Sequence, residues 1–343
     1  MKALRLQRWA GELALEEVPD PVPGDGEVLV DVRACGVGLT VLNCIRGDLG
    51  HDATNLPRTP GHEIVGVVAA VGPGVNPVRI GEMVTAYFYL FCGHCGRCLA
   101  GTEDLCENLG GFVGVDRDGG YAARVTLPER NVIRLPPGVD PVLATAIPDA
   151  IATPVHVANR AGIRPGQHVV VIAAGGGVGV HMVQVARAYG ADVLGLDIDE
   201  DKLRYLRGEI GVDASDSSDF DQVGFPPGWM GSPPDVVVDL LGSATSLGWG
   251  LGALGVGGRM VVLTTFPGVD FPVSPRVLVF GEASILGSRY ATRHELHLAA
   301  ELVRSGRVHP VVSRREPATH VETIHEDLRR GRLLGRGALV WSS

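Results

Sequence analysis

The spacing of hydrophobic positions changes character near residue 165. Before it, apolar residues fall in short β-rich runs: "EVLVDVRACG" (27–36), "IVGVVAAVG" (64–72) and "MVTAYFYL" (83–90). Turn signals such as "PVPGDGE" (21–27) and "VGPGVN" (71–76) bound these runs, which predicts strands. After residue 165, strand-like and helix-like stretches alternate. "HVVVIAA" (168–174) reads as a buried strand, 177–189 as a helix, "DVLGLD" (192–197) as a strand and "DEDKLRYLRG" (199–208) as a helix. "DVVVDLL" (235–241) and "RMVVLTT" (259–265) continue as strands around a small-residue helix. This grammar predicts an α/β protein with a doubly wound parallel sheet. "HELHLAAELVRSG" (294–306) reads as a helix, and 320–341 as a helix followed by a final strand.

Composition narrows the picture. A chain of 343 residues exceeds what one core usually serves, so two domains are expected. Aromatic residues at 5% and 48 glycines favour a Val/Ala/Gly-rich α/β protein with tight turns. A net charge of −9 argues against nucleic acid as a partner. One local basic stretch, "RRGRLLGR" (329–336), reads either as a solvated last helix turn or as a contact for phosphate. The N-terminus lacks a secretory pattern, and the most membrane-like window, 168–186, is broken by His168, His181 and a glycine cluster. No membrane partner and a cytoplasmic location are therefore expected. Six cysteines in a reducing compartment point to metal or free thiols.

Two motifs carry chemistry. In "AAGGGVGVHMVQVARAYGADVLGLD" (173–197), Gly175, Gly176, Gly177 and Gly179 lie between a strand and a helix. Backbone N–H groups there can approach a pyrophosphate, and the helix N-terminus favours its charge. Asp197 ends the next strand about 20 residues on, where a carboxylate accepts from ribose hydroxyls and repels a 2′-phosphate. NAD(H) is the expected cofactor. Ala174 stands where the fingerprint has its first glycine, and Lys202 reads either as a ribose contact or as helix surface. In "CGHCGRCLAGTEDLCEN" (92–108), Cys92, Cys95, Cys98 and Cys106 have the spacing of a structural zinc site, with no ligand position left open.

With these motifs, the order "PGHEIVGVV" (60–68), cysteine loop, glycine loop with Asp197, and "GRGALV" (335–340) resembles the zinc-containing medium-chain dehydrogenase/reductase family, the alcohol dehydrogenases. The resemblance implies a GroES-like catalytic domain over 1–150, with the zinc lobe at 92–106, and a Rossmann domain over 151–287. The chain would return to the catalytic domain over 288–343. It implies hydride transfer between nicotinamide and a small alcohol, ketone or aldehyde, and a homodimer or homotetramer. By the same resemblance, His62, Glu63 and Asp149 stand at catalytic positions and are available to a catalytic zinc. Thr153 and Val178 would lie near the nicotinamide, and Arg336 would reach the pyrophosphate.

One segment departs from the family. Where it has a pattern of the kind "GVCHTD", this chain reads "GVGLTV" (36–41), so Gly38 replaces the metal's thiolate. Thr40 remains as a proton-passing hydroxyl, and Asn43 stands where a relay histidine is common. The expectation is a catalytic zinc that is absent or weakly held, with Thr40, Asn43 and His62 as hydrogen-bond donors. Cys35 and Cys44 are the nearby alternatives as ligands. Three functions stay open: an alcohol/carbonyl oxidoreductase, a zinc-independent NAD(P)H-dependent reductase of carbonyl-activated alkenes (enones), and a silent dinucleotide-binding protein.

Overall fold

The computed structural model describes residues 1–341 apart from His51, Pro77, Thr265 and Pro267. The chain divides into two compact units. One comprises Met1–Asp149, Thr292–Arg304 and Pro310–Ser343; the other comprises Ala150–Ala291 and Ser305–His309.

The first unit is built on a sheet whose strands run, edge to edge, Val312–Pro317, Arg336–Val340, Glu27–Val37, Glu63–Val71, Met83–Ala86 and Val132–Arg134. Strand Arg124–Pro128 adds to Glu27–Val37 off this path. In the central strand Val28, Val30, Val32 and Ala34 are buried while Asp31 and Arg33 between them are only partly so, the period-2 pattern of a sheet packed on one face. The register against Glu63–Val71 slips twice, at Leu29/Val30 and Val32/Ala34, and ends with Glu63 opposite Gly36. The run read as a strand over 83–90 ends at Ala86. Beyond it the buried Asn131 side chain donates to Tyr87 O and Tyr89 O, replacing ladder hydrogen bonds and steering the chain into the cysteine lobe.

The second unit holds a six-stranded parallel sheet. Numbered along the chain, its strands His168–Ile172, Asp192–Asp197, Asp213–Asp216, Val236–Asp239, Arg259–Val262 and Ser284–Gly287 lie in the order 3-2-1-4-5-6. This is the dinucleotide-binding order, with its switch point between the first and fourth strands. Val170, Ile172, Leu194, Leu196, Val237 and Trp229 form the core against one face, and the His168 ring stacks on Trp229 at 4.3 Å. Helix Gly179–Ala188 begins two residues later than the sequence suggests, because 173–178 form the turn. The strand read over 259–265 stops at Val262, and its last residue, Thr265, lies outside the described residues. Among the described residues no helix is long and apolar enough to cross a membrane.

Candidate active site

The four lobe cysteines converge, with their Sγ atoms all within 4.8 Å of one another. Cys92–Cys98, Cys95–Cys98 and Cys95–Cys106 are 3.8, 3.5 and 3.9 Å apart. Thiolates about 2.3 Å from a tetrahedral zinc stand about 3.8 Å from one another, so the cage has the size of the ion. Backbone N–H groups of Cys92 and Cys95 donate to Cys106 Sγ and Cys92 Sγ, both at 3.3 Å. Backbone donors hold the Cys95 thiol down to about 6, while burial and hydrogen bonds from the neighbouring cysteines push Cys98 up to about 12. A divalent cation relieves that crowding of thiolates. His94 is exposed and bonds Cys92 O through its ring, outside the cage.

In the second unit, Asp197 Oδ2 accepts from Gly175 N at 2.8 Å and Oδ1 accepts from Ile198 N at 2.9 Å. The acid thereby clamps the glycine loop to the next strand. Ala173 holds a left-handed conformation at φ +61, which bends the chain out of the strand. A Cβ on Gly179 would stand 2.2 Å from Ala173 O, so only glycine lets the helix seat against the strand. Ala174 is tolerated in place of the fingerprint glycine because Gly195 lies opposite, where a Cβ would come within 3.0 Å of that of Ala174. Gly176, Gly177 and Val178 are partly exposed at the N-terminus of helix Gly179–Ala188. Lys202 is not a surface helix residue: it is buried, with its stem across Gly175. Thr153 is buried in helix Ala152–Ala161. Small residues, a helix N-terminus and a strand-end acid are the parts a dinucleotide needs.

The first unit gathers His62, Glu63 and Asp149. His62 Nε2 lies 3.4 Å from Asp149 Oδ2 and 3.9 Å from Glu63 Oε1. A fourth group joins them: Arg336 Nη2 stands 2.8 Å from Glu63 Oε1 and 2.9 Å from Asp149 Oδ2. Glu63 and Arg336 are buried, at 0% and 5% exposure. Arg336, expected at the pyrophosphate, here turns Nη2 to two carboxylates of its own unit, buried Glu63 and partly buried Asp149. Burial raises the Glu63 carboxyl to about 7, against the pull of Arg336 and with the help of the Asp149 charge. The His62 ring packs on Phe88, centroids 4.3 Å apart, a contact that the strand reading of 83–90 did not separate from ordinary packing.

Thr40 and Asn43 sit on helix Leu39–Arg46, both partly exposed. The Asn43 side-chain oxygen accepts from Arg46, so its amide N–H is the part left to donate. Cys44 is not a ligand: its Sγ donates to Gly114 O at 3.1 Å, and burial pushes the thiol up to about 12. Cys35 is fully buried and also lies outside the cluster. The basic stretch at 329–336 resolves mostly into surface pairs, Arg329 and Arg330 with Glu326 and Arg332 with Asp327.

Comparison with known proteins agrees with this geometry. Residues 24–137 match the alcohol dehydrogenase GroES-like domain, and 177–305 match the zinc-binding dehydrogenase domain. An alcohol dehydrogenase of Moraxella sp. (strain TAE123) is 34% identical over 340 residues, covering 98% of each chain. The chain belongs to the zinc-containing medium-chain dehydrogenase/reductase family. It is an alcohol dehydrogenase-like oxidoreductase. The crystal structure of AibC superposes with a TM-score of 0.91 at 32% identity, covering 100% of this chain and 96% of that one. An acryloyl-coenzyme A reductase of Sulfurisphaera tokodaii is 28% identical over 91% of this chain and 92% of its own.

The family's two zinc sites fare differently here. The four-cysteine cage fits its ion. At the catalytic position His62, Glu63 and Asp149 still bring ligand atoms within 4.8 Å of one another, but Gly38 offers no donor, and a Cβ there would stand 2.3 Å from Arg336 Nη1. A guanidinium already stands between two of these groups, paired with Glu63 and Asp149.

Proposed function

We propose that this family member is an NAD(H)-dependent oxidoreductase that moves a hydride between nicotinamide and a small alcohol/carbonyl substrate without a catalytic zinc. The observation that carries the reading is the Arg336 guanidinium between Glu63 and Asp149, where a metal would sit. NADH supplies the hydride. The backbone of Gly175, Gly176, Gly177 and Gly179 holds the pyrophosphate; Asp197 and Lys202 meet the ribose, and the charge of Asp197 disfavours a 2′-phosphate. Thr153 and Val178 serve the nicotinamide end. Thr40, His62 and the Asn43 amide act as donors to a substrate oxygen.

Neutral donors stabilise a developing oxyanion but ionise an unactivated alcohol poorly. The favoured direction is therefore reduction of an activated aldehyde or ketone. A second reading, reduction of an alkene conjugated to a carbonyl, is favoured by the similarity to an acryloyl-coenzyme A reductase. The cysteine cage holds one structural zinc. A homo-oligomer fits the parallel sheet's edge strand Ser284–Gly287 and the exposed Val279 and Phe280 of helix Pro275–Gly281. Four thiols kept for a metal suit the reducing cytoplasm.

Following NADH oxidation against ketones, aldehydes and enones tests the reading. Turnover of ketones or aldehydes by protein holding one zinc per chain supports it. Enones alone reacting favours the second reading, and tight NADH binding without any turnover overturns both.

A further inference from the structure

The structure assigns the counter-charge of this site to Arg336: its guanidinium takes the electrostatic place of the catalytic metal ion, and Gly38 is the residue that makes room for it. The register of the sheet brings the two together. Strand Arg336–Val340 pairs antiparallel with Glu27–Val37, with Gly337 opposite Val37 and Ala338 opposite Gly36. Continued by one residue, this register sets Arg336 opposite Gly38. Gly36 makes room in the same way for the acid, since a Cβ there would stand 2.1 Å from Glu63 Oε2. Two glycines on one face of the strand thus receive the acid and the base.

A side chain at 38 and an inward Arg336 exclude each other. A Cβ on Gly38 meets not only Nη1 at 2.3 Å but also Cζ at 2.7 Å, so rotating one guanidinium nitrogen aside does not relieve the contact. The guanidinium is fixed by ion pairs to Glu63 and Asp149 at 2.8 and 2.9 Å. A buried carboxylate and a partly buried one beside a histidine call for a positive charge, because an unpaired buried charge is strongly unfavourable. A divalent ion with a thiolate at 38 is one solution, and glycine at 38 with an inward arginine is the other. Arginine is permanently charged and cannot be chelated away. Arg336 is thus a positioning residue, holding Glu63 and Asp149 around His62.

The inference rests on the zinc-free reading of the site, and metal counts separate the two without turnover. Zinc is measured per chain after equilibration with a small excess of zinc and removal of loosely bound ion. Wild type is expected to hold one zinc. Arg336→Ala is expected to hold two, because His62, Glu63 and Asp149 lose their cation and all three are metal-ligand types. Arg336→Lys keeps a cation and stays at one. Gly38→Cys is expected to rise to two, because its side chain displaces the guanidinium and adds a thiolate, and Gly38→Cys/Arg336→Ala is expected to do the same. Wild type with two zinc ions overturns both this inference and the zinc-free function. Wild type with one, and Arg336→Ala and the double variant also with one, overturns the inference alone. If Arg336→Ala fails to fold, Gly38→Cys still decides: a second zinc there supports the exclusion, and one zinc overturns it.

Discussion

Glu63, fully buried, meets Arg336 Nη2 at 2.8 Å, yet burial carries its carboxyl up to about 7. The two facts are compatible because one guanidinium faces two carboxylates, so a proton is retained in the Glu63–Asp149 pair close to neutrality. The folded-state pKa lies above the unfolded value of about 4.5. The resulting stability is therefore full below about pH 4.5 and is lost as pH rises through about 7. Unfolding free energies from urea titrations between pH 5 and 8 should fall with pH, by an amount on the order of 3 kcal/mol. Glu63→Gln, which has no proton to lose, should flatten that profile. An equal slope in the variant would rule Glu63 out as its source.

Gly38→Ala adds only a Cβ, but that atom lands on the guanidinium. Displacing Arg336 leaves buried Glu63 and partly buried Asp149 short of their cation, so a loss of roughly 2–4 kcal/mol is expected. Gly248 is the control: it lies exposed in helix Ala244–Ala253 with nothing within 4 Å of its would-be Cβ. Gly248→Ala should stabilise by about 0.4–1 kcal/mol. Comparable midpoints for the two variants would show that position 38 has room after all.

Much of this was legible in the chain. The alternation of "HVVVIAA" and "DVLGLD" with helical stretches gave the parallel sheet, because strands buried on both faces read as unbroken apolar runs. The cysteine spacing gave the cage, since four ligands within 15 residues converge with little help from the rest of the fold. The link between Gly38 and Arg336 was not legible. The two are 298 positions apart (336 − 38) and meet only through a strand register. Nothing local in "RGALV" tells whether its arginine turns toward a cofactor or toward buried acids. The one signal was "GVG" at 36–38, two glycines at strand spacing, which marks a face that something approaches closely.

The cysteine lobe should depend on its metal. Cys106→Ser removes the ligand farthest along the chain and also the sulfur that accepts from Cys92 N. Zinc should fall from one per chain to none, the lobe should become sensitive to protease, and thermal stability should drop by several kcal/mol. In wild type, the four lobe thiols should resist a thiol reagent until a chelator is added. Rapid labelling of all four in untreated protein would exclude the cage.

Asp197 governs cofactor choice on the proposed reading. Asp197→Ala removes the charge that opposes a 2′-phosphate, but it also releases Gly175 N, so NADH activity should fall as well. The informative quantity is the ratio of kcat/KM for NADPH to that for NADH, which should rise about 100-fold, or about 2.7 kcal/mol. A ratio that moves less than threefold would place the specificity elsewhere.

If no metal polarises the substrate oxygen, its stabilisation falls on side-chain donors of the first unit. Thr40→Val keeps the shape and deletes the hydroxyl; His62→Gln keeps a donor but moves it and loses the stacking on Phe88. Removing a donor from an oxyanion site costs roughly 10²–10³ in kcat. Thr40→Val should show that loss with NADH affinity unchanged, because Thr40 lies on helix Leu39–Arg46 of the first unit and the glycine loop belongs to the second. His62→Gln should lose less in kcat than His62→Ala, since the amide replaces part of the donor function. Variants of both residues that retain a third or more of wild-type kcat would move the oxyanion donor to another residue. Restoration of the lost activity by added zinc would argue instead that a metal does the work.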